Sequence, residues 1–329
     1  MSLAIIVGSL TVSWFVVPVL LKLTVFKPAK CRSSVRLDGK VVLVTGANTG
    51  LGKVTAKDLA SRGAVVYIAC RDVTKAEAAK RDILSSNSAA QVNLLKLDLG
   101  SLRSVRDCAD AFKQREEKLD VLVANAGFGS LGFSLTEDGV ESHLGVNHLG
   151  HFYLTRLLLP CLEKAGTDAS KSRIVVVSSV AHKMARGPMI QYEKLQKGEV
   201  RRNAYGQSKL ANLLFVKYFD SLLAGRNITI NGLHPGTVKT EFFRNYFPYR
   251  LLNTMLSILC ISFYYMLLTE EEGSQTNIWA SVSEELEGVS GKYLKGCKIS
   301  SPSVAAQNVK EAEKLWKWSC EKTGLPHEL

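Results

Sequence analysis

The sequence predicts an α/β protein built on a doubly wound parallel sheet in a single domain. Three observations predict it. From Lys40 onward, short runs of β-branched and apolar residues alternate with longer amphipathic runs. The short runs are apolar at nearly every position, the pattern of strands covered on both faces. The first of them passes directly into a glycine-rich turn that opens a helix. The length of 329 residues fits one large α/β domain or two small ones. With 46% hydrophobic and 22% charged residues, disorder is excluded for most of the chain.

The N-terminus comes first. Ser2 to Leu21 carries no charge and is rich in Leu, Val, Ile and Phe. As a helix, 20 such residues cross a ~30 Å hydrocarbon core. A cleaved signal peptide would want a basic start and a small-residue cleavage site, and neither stands out. Residues 1–22 are therefore expected to be a membrane anchor helix, and 23–37 a basic juxtamembrane linker. Lys22, Lys27, Lys30, Arg32 and Arg36 all flank the C-terminal side of that run, which places the rest of the chain in the cytosol.

The body follows in order. Val41 to Val44 is the first expected strand, with a helix running through Arg62. Val65 to Ala69 comes next, then a polar helix rich in Lys, Glu and Ala. Asn93 to Leu97, Val121 to Ala124, Ile174 to Val177 and Ile228 to Asn231 continue the strand series. Strand–helix alternation implies right-handed βαβ units. The catalytic domain is expected over residues 38–300. Leu251 to Thr269 is a second uncharged run, weakened as a span by Asn253, Thr254, Ser257 and Ser262. It reads as part of an apolar lid at about 237–269 or as an in-plane membrane helix, with a buried core helix as the plainer alternative. Residues 301–329 form a tail, helical from Ala305 to Lys322.

The net charge is +12, and Lys22 to Lys40 alone holds six bases and one acid. Such a tilt suits an anionic membrane surface or an anionic ligand. No zinc-finger, RRM or basic-helix pattern accompanies it, so nucleic acid is not an expected partner. The seven cysteines are scattered and form no Cys-x-x-Cys. That argues against a zinc module or a secreted disulfide framework. His148 and His151 have no third ligand placed in sequence, so no metal site is expected.

The glycine-rich turn reads Thr45-Gly46-Ala47-Asn48-Thr49-Gly50-Leu51-Gly52. Glycines let the backbone turn sharply and approach a pyrophosphate, and the helix N-terminus offers its unpaired N–H groups to phosphate. This makes the fold Rossmann-type. Arg71 lies 19 residues beyond Gly52, at the end of the second strand, where the adenosine ribose is met. An arginine there holds a 2′-phosphate, which favours NADP(H). Asp72 beside it leaves NAD(H) as the alternative.

Tyr205 and Lys209 are four apart on an amphipathic helix and so share a face. A cation beside a phenol stabilises the phenolate and lowers a pKa that is ordinarily ~10. Such a phenol can exchange a proton with an alcohol or carbonyl oxygen near neutral pH. Ser179 ends the fifth strand, 26 residues earlier, and its hydroxyl can reach the same substrate oxygen. Asn147 falls inside the preceding helix, where an inward amide needs partners, a structured water among them.

Taken together, the motifs resemble the short-chain dehydrogenase/reductase family. They are the glycine turn, Asp98-Leu99, Asn125-Ala126-Gly127, Ser179 with Tyr205 and Lys209, and Pro235-Gly236. Within the family the chain is most similar to the membrane-anchored retinol dehydrogenases. Ala69-Cys70-Arg71-Asp72, Asn147 to Phe152, Val177 to His182, Ser208 to Asn212 and His234-Pro235-Gly236 carry that likeness. The resemblance implies Tyr205 as general acid/base, Lys209 lowering its pKa and binding the nicotinamide ribose, and Ser179 orienting the substrate oxygen. It implies Asn147 in a proton relay through water. It places Gly46 to Gly52 at the pyrophosphate and Asp98 and Leu99 at adenine. Asn125, Ala126 and Gly127 would lie along the adenosine side, and Pro235, Gly236, Val238 and Thr240 beside nicotinamide. Ala124 and Leu51 depart from the commoner Asn and Ile, and neither change removes a reacting group.

The implied activity is interconversion of an apolar lipid aldehyde or ketone with its alcohol, retinal and retinol first. A steroid, a polyprenal or a lipid-peroxidation aldehyde is the alternative substrate. A non-catalytic cofactor-binding membrane scaffold is the competing class. The implied setting is the endoplasmic reticulum membrane with the domain facing the cytosol. Membrane lipid is then a partner, and a homodimer stays open.

Overall fold

Val41–Thr45 (β1) is buried at all five positions because its side chains alternate between two cores. Val41 and Leu43 enter one cluster, and Val42 and Val44 the other. This is the physical content of a strand that is apolar throughout: both faces of the sheet are covered. The computed structural model describes residues 28–185, 190–199, 201–238 and 267–329. The expected anchor, most of the expected lid and Thr240 lie outside the described residues. Among the described residues, no helix is long and apolar enough to cross a membrane.

The remaining strands are Val65–Cys70 (β2), Gln91–Lys96 (β3), Val121–Ala124 (β4), Ser172–Val177 (β5), Ile228–His234 (β6), Tyr293–Lys295 (β7) and Ile299–Ser300 (β8). Their spatial order is β3-β2-β1-β4-β5-β6-β7-β8. Every pairing is parallel except β7 with β8. The sheet is thus the expected doubly wound Rossmann type, extended by a short hairpin that the sequence reading did not foresee. Residues 291–300 contain Gly291 and Gly296, and the strands that flank Gly296 span three and two residues, too short for a periodicity.

Helices cover both faces. Gly50–Ser61 (α1), Val73–Ser86 (α2) and, further along the chain, Glu270–Val282 lie over one core. Leu102–Lys113 (α3), the short Ser142–Leu144 (α4), Gly150–Ala165 (α5) and Arg201–Leu222 lie over the other. A π-helical turn, Gly145–Leu149, separates α4 from α5. Tyr192–Gln196 (α6) precedes Arg201–Leu222, here α7, and Glu270–Val282 is α8. Val309–Thr323 (α9) buries Leu315, Trp316 and Cys320 against α7. The tail helix therefore adds an apolar face to the main core.

Residues 31–37, read from sequence as part of a linker, lie strapped to the body. Cys31 and Leu37 are buried. Arg62 Nη1 donates to the carbonyls of Ser33 and Val35 at 3.0 and 2.9 Å. Lys30, Arg32 and Arg36 stay exposed.

Strand order reverses between β1 and β4, so their outgoing loops diverge and leave a crevice at the carboxyl ends of the strands. Register aligns those ends: Val44 faces Val123, Ala124 faces Val176, and Val177 faces Leu233. The glycine turn, the loop after Ala124, Ser178-Ser179 and His234-Pro235-Gly236 therefore line one edge.

Candidate active site

Along that edge runs a cleft of about 2230 Å³. Its lining takes in Gly46, Asn48, Thr49, Gly50, Leu51, Gly52, Arg71, Asp98, Leu99, Asn125, Ala126 and Gly127. On the other side it takes in Ser179, Tyr205, Lys209, Pro235, Gly236 and Val238. Two of the residues read from sequence are set back from it. Ala47 is fully buried in the core under α1, and Asn147 is fully buried behind the wall.

At one end, β1 leads into a turn in which Gly46 and Gly50 have φ of +65° and +59°. Gly52 has ordinary φ, and its constraint is contact. A Cβ there would sit 2.5 Å from Gly46 O and 2.5 Å from Asn125 Nδ2. The loop after β4 is stapled across this turn. Asn125 Nδ2 donates to Thr45 O at 2.9 Å, and the N–H groups of Asn125 and Ala126 donate to Thr45 Oγ1 at 2.9 and 3.0 Å. Asn277 of α8 donates to Asn125 Oδ1 at 3.2 Å.

Helix starts differ in a telling way. Asp72, Ser101, Thr269 and Asn308 each cap their own helix with a side chain. Thr49, at the start of α1, makes no such bond. Side-chain caps satisfy orphan N–H groups, and without one they remain for water or a ligand. An uncapped helix start behind glycines that admit no side chain fits a pyrophosphate. Arg71 is exposed on the lining, and Lys75, which the sequence reading passed over, lies there with it. The Asp72 carboxylate accepts from Lys75 N at 3.0 Å, so it serves α2.

At the other end, α7 carries Tyr205 and Lys209 on one face, as four-residue spacing requires. The Lys209 ammonium lies 5.8 Å from the centre of the Tyr205 ring. Lys209 is 3% exposed and donates to Val177 O at 3.0 Å. Burial pushes its pKa down to about 8. Ser178 Oγ donates to Lys209 O at 2.7 Å, fixing β5 to α7. Ser179 begins the 3₁₀ turn Val180–Met184, and its Oγ accepts from Ala181 N at 3.2 Å. Gly206 lets that turn close on α7, since a Cβ would stand 2.9 Å from Ala181 O.

Asn147 lies in the π-helical turn. Its Oδ1 accepts from Phe128 N, and its Nδ2 donates to Phe128 O and to Ser208 Oγ, each at 3.0 Å. Both amide hydrogens are thus spent on protein, and only an Oδ1 lone pair is left for water. The amide pins the Phe128 loop to α7. His151 bonds Thr45 Oγ1 through Nε2 at 2.9 Å, and His148 bonds Ser319 through Nε2 at 2.9 Å. His143, paired with Glu141 at 2.6 Å, accepts from Ser130 N at 3.0 Å and stacks on Phe128. None of these contacts was legible, because each joins segments distant in sequence or buried beneath a loop.

Phe128, Leu135, Val180 and Met184 line the same cleft, and Met184 is 74% exposed. Thr237 O accepts from Leu268 N at 2.9 Å, and Val238 pairs with Leu268. The chain thus leaves the cleft edge at Val238 and rejoins it at Leu268.

The family model for short chain dehydrogenase matches residues 40–250. Retinol dehydrogenase 12 of Homo sapiens is 44% identical over 300 residues, 91% of each chain. Retinol dehydrogenase 11 of Homo sapiens is 43% identical over 299 residues, covering 90% of this chain and 89% of its own. The crystal structure of an uncharacterized protein from Mycobacterium Paratuberculosis superposes with a TM-score of 0.71 at 33% identity. It covers 92% of this chain and 100% of its own. The protein belongs to the short-chain dehydrogenase family and is an oxidoreductase acting on CH–OH donors.

Proposed function

We propose that the protein interconverts retinal and retinol, or an apolar carbonyl compound of similar size, with NADP(H). The observation that carries this reading is the buried Lys209 cation, held by Val177 O beside the Tyr205 ring on the cleft wall. The relatives named retinol dehydrogenase support the substrate. So do Phe128, Leu135, Val180 and Met184, an apolar approach to the Tyr205 end.

The residues fit a dinucleotide. Gly46 to Gly52 would hold the pyrophosphate on α1, Arg71 and Lys75 a 2′-phosphate, and Pro235 to Val238 the nicotinamide side. The Asp72 carboxylate caps its own helix through Oδ1, which leaves the two cations Arg71 and Lys75 as the groups on this lining suited to a 2′-phosphate. Bound NADP(H) supplies or accepts the hydride at the substrate carbon.

The protein's own part is position and proton transfer. The Lys209 ammonium stabilises the Tyr205 phenolate across a low-dielectric wall. Tyr205 gives its proton to the developing alkoxide in reduction and takes it back in oxidation. Ser179 Oγ already accepts from Ala181 N, so its hydrogen is left to donate to the substrate oxygen. Asn147 holds the Phe128 loop and Ser208, and so sets the wall behind Lys209. Residues 2–21 anchor the protein beside the bilayer that holds its substrate, and the exposed Lys30, Arg32 and Arg36 face anionic headgroups.

The test is oxidation of NADPH and of NADH by purified protein in liposomes. Retinal, a steroid ketone and a small polar ketone are compared. Preferred use of NADPH with retinal is expected. Turnover of the polar ketone without retinal would overturn the substrate assignment.

A further inference from the structure

We infer that His182 is a positioning residue that fixes the Ser179 turn and ties it to the C-terminal segment at Ser303. The inference rests on the reading of Ser179 as the group that orients the substrate oxygen.

His182 sits in the turn Val180–Met184 and is 1% exposed. Its Nδ1 lies 2.6 Å from Ser179 O, and its Nε2 accepts from the backbone N–H of Ser303 at 3.0 Å. A backbone N–H can only donate, so Nε2 carries no proton. The single imidazole proton is then on Nδ1 and is donated to Ser179 O. Both ring nitrogens are satisfied in one tautomer only. Tyr293 packs edge-on against the ring at 5.2 Å and closes it off from solvent.

The Ser179 carbonyl takes a second bond from His182 N at 3.1 Å. Two donors on one carbonyl fix the peptide plane from which the Ser179 side chain rises toward the cleft. The other side of the imidazole holds a segment 121 residues away in sequence. Ser303 opens the 3₁₀ turn Ala305–Gln307, through Ala306 N bonded to its carbonyl and hydroxyl. Ala306 is buried in the main core, and α9 follows. The imidazole therefore joins the tail to a wall residue that, with Tyr205, must meet the substrate oxygen within hydrogen-bond reach. Displacement of about 1 Å at such a group costs on the order of 10²-fold in rate.

Two substitutions split the ring's roles. His182→Asn keeps a donor at the δ position and loses the ε acceptor, while His182→Gln keeps a polar atom at ε and loses the δ donor. Steady-state reduction at saturating NADPH and varied carbonyl substrate is measured for both, alone and combined with Ser179→Ala. His182→Gln is expected to lower kcat about 10–100-fold with little change in KM, from misplacement of this size. His182→Asn should stay at least about tenfold faster than His182→Gln, and His182→Gln should add no further loss to Ser179→Ala. Equal losses in the two His182 variants, or a full additional loss in the Ser179→Ala background, would overturn the inference. A Ser179→Ala enzyme with undiminished kcat would instead remove the reading of Ser179 on which it rests. Imidazole nitrogen NMR on the intact protein gives an answer independent of variant folding. A neutral His182 protonated on Nδ1 at pH 7 is expected, and a proton on Nε2 sinks the proposal.

Discussion

The glycine-turn end of the cleft is made of backbone and of side chains that are missing, whereas the Tyr205 end is made of buried polar side chains. At the first, Gly46, Gly52 and Ala126 leave no room between β1, α1 and the loop after β4. At the second, Ser178, Ser208, Lys209 and Asn212 are each 3% exposed or less and bonded to one another's backbone or neighbours. The two kinds of construction fail differently. Adding a single carbon damages the first, and removing a single polar atom damages the second. Only the second holds a buried cation, which opposes folding while it serves proton transfer.

The sharpest way to break this comparison is at Tyr205. Tyr205→Phe removes one oxygen and leaves the ring and its packing. The expected loss in kcat is ~10²–10⁴-fold, with NADPH affinity and melting temperature little changed. Steady-state rates with a calorimetric melt check it. A variant that keeps its rate would make the polar end a scaffold.

Lys209→Met should separate activity from stability. Turnover is expected to fall about 10²-fold, because the phenolate loses its cation. Stability is expected to rise. The folded-state pKa of Lys209, about 8, lies below its ordinary 10.5. At this site the unfolded chain therefore binds more protons between those values, and the Lys209 contribution to wild-type stability increases as pH rises through that window. A shift of that size corresponds to roughly 3 kcal/mol of burial cost at neutral pH. Val177 O keeps Asn212 Nδ2 at 3.2 Å as a partner when Lys209 is gone. Denaturant melts of both proteins from pH 7 to 10.5 test this: the stability gap between variant and wild type should close as pH rises, while the buried thiols, raised in both proteins, contribute equally to each.

The glycine end answers to Gly52→Ala. Its Cβ would enter 2.5 Å from Gly46 O, so the backbone of the turn must shift. Cofactor affinity should fall about 10–100-fold, which matches 1.4–3 kcal/mol of lost phosphate contacts, while kcat at saturating cofactor changes less. Fluorescence titration of NADPH reads it. A fall in kcat with unchanged affinity would mean that the two ends are not separable.

The contrast between the ends also governs what the sequence could reveal. The glycine spacing, Arg71, and the Tyr205–Lys209 and Ser179 set are local patterns, and the sheet through β6 follows from continuous apolar runs. Asp98, Pro235 and Gly236 came only through the family resemblance. The partners of Asn147 were not legible, because its amide bonds Phe128 and Ser208, 19 and 61 residues away. The same holds for His182 with Ser303. Helix α8 has a capping box, Thr269 with Glu272, yet it followed an apolar run that drew the reading toward a lid. Short β7 and β8 offered no period to detect.

The smallest expected effect falls at the boundary between backbone and side-chain construction, at Asp72. If its carboxylate serves α2, Asp72→Ala removes a cap and should destabilise the protein by about 1 kcal/mol. The preference for NADPH over NADH should stay where it was, because Arg71 and Lys75 would still hold the 2′-phosphate. Asp72→Asn retains a capping oxygen and should recover most of the stability. Arg71→Ala is the opposite case: NADPH affinity should drop about tenfold, the size of one charge-assisted contact, with NADH affinity and stability nearly untouched. Cofactor titrations and melts on the three variants assign the two neighbours to different tasks. A swing toward NADPH in Asp72→Ala would instead put that carboxylate at the ribose, beside Arg71 and Lys75 on the same lining.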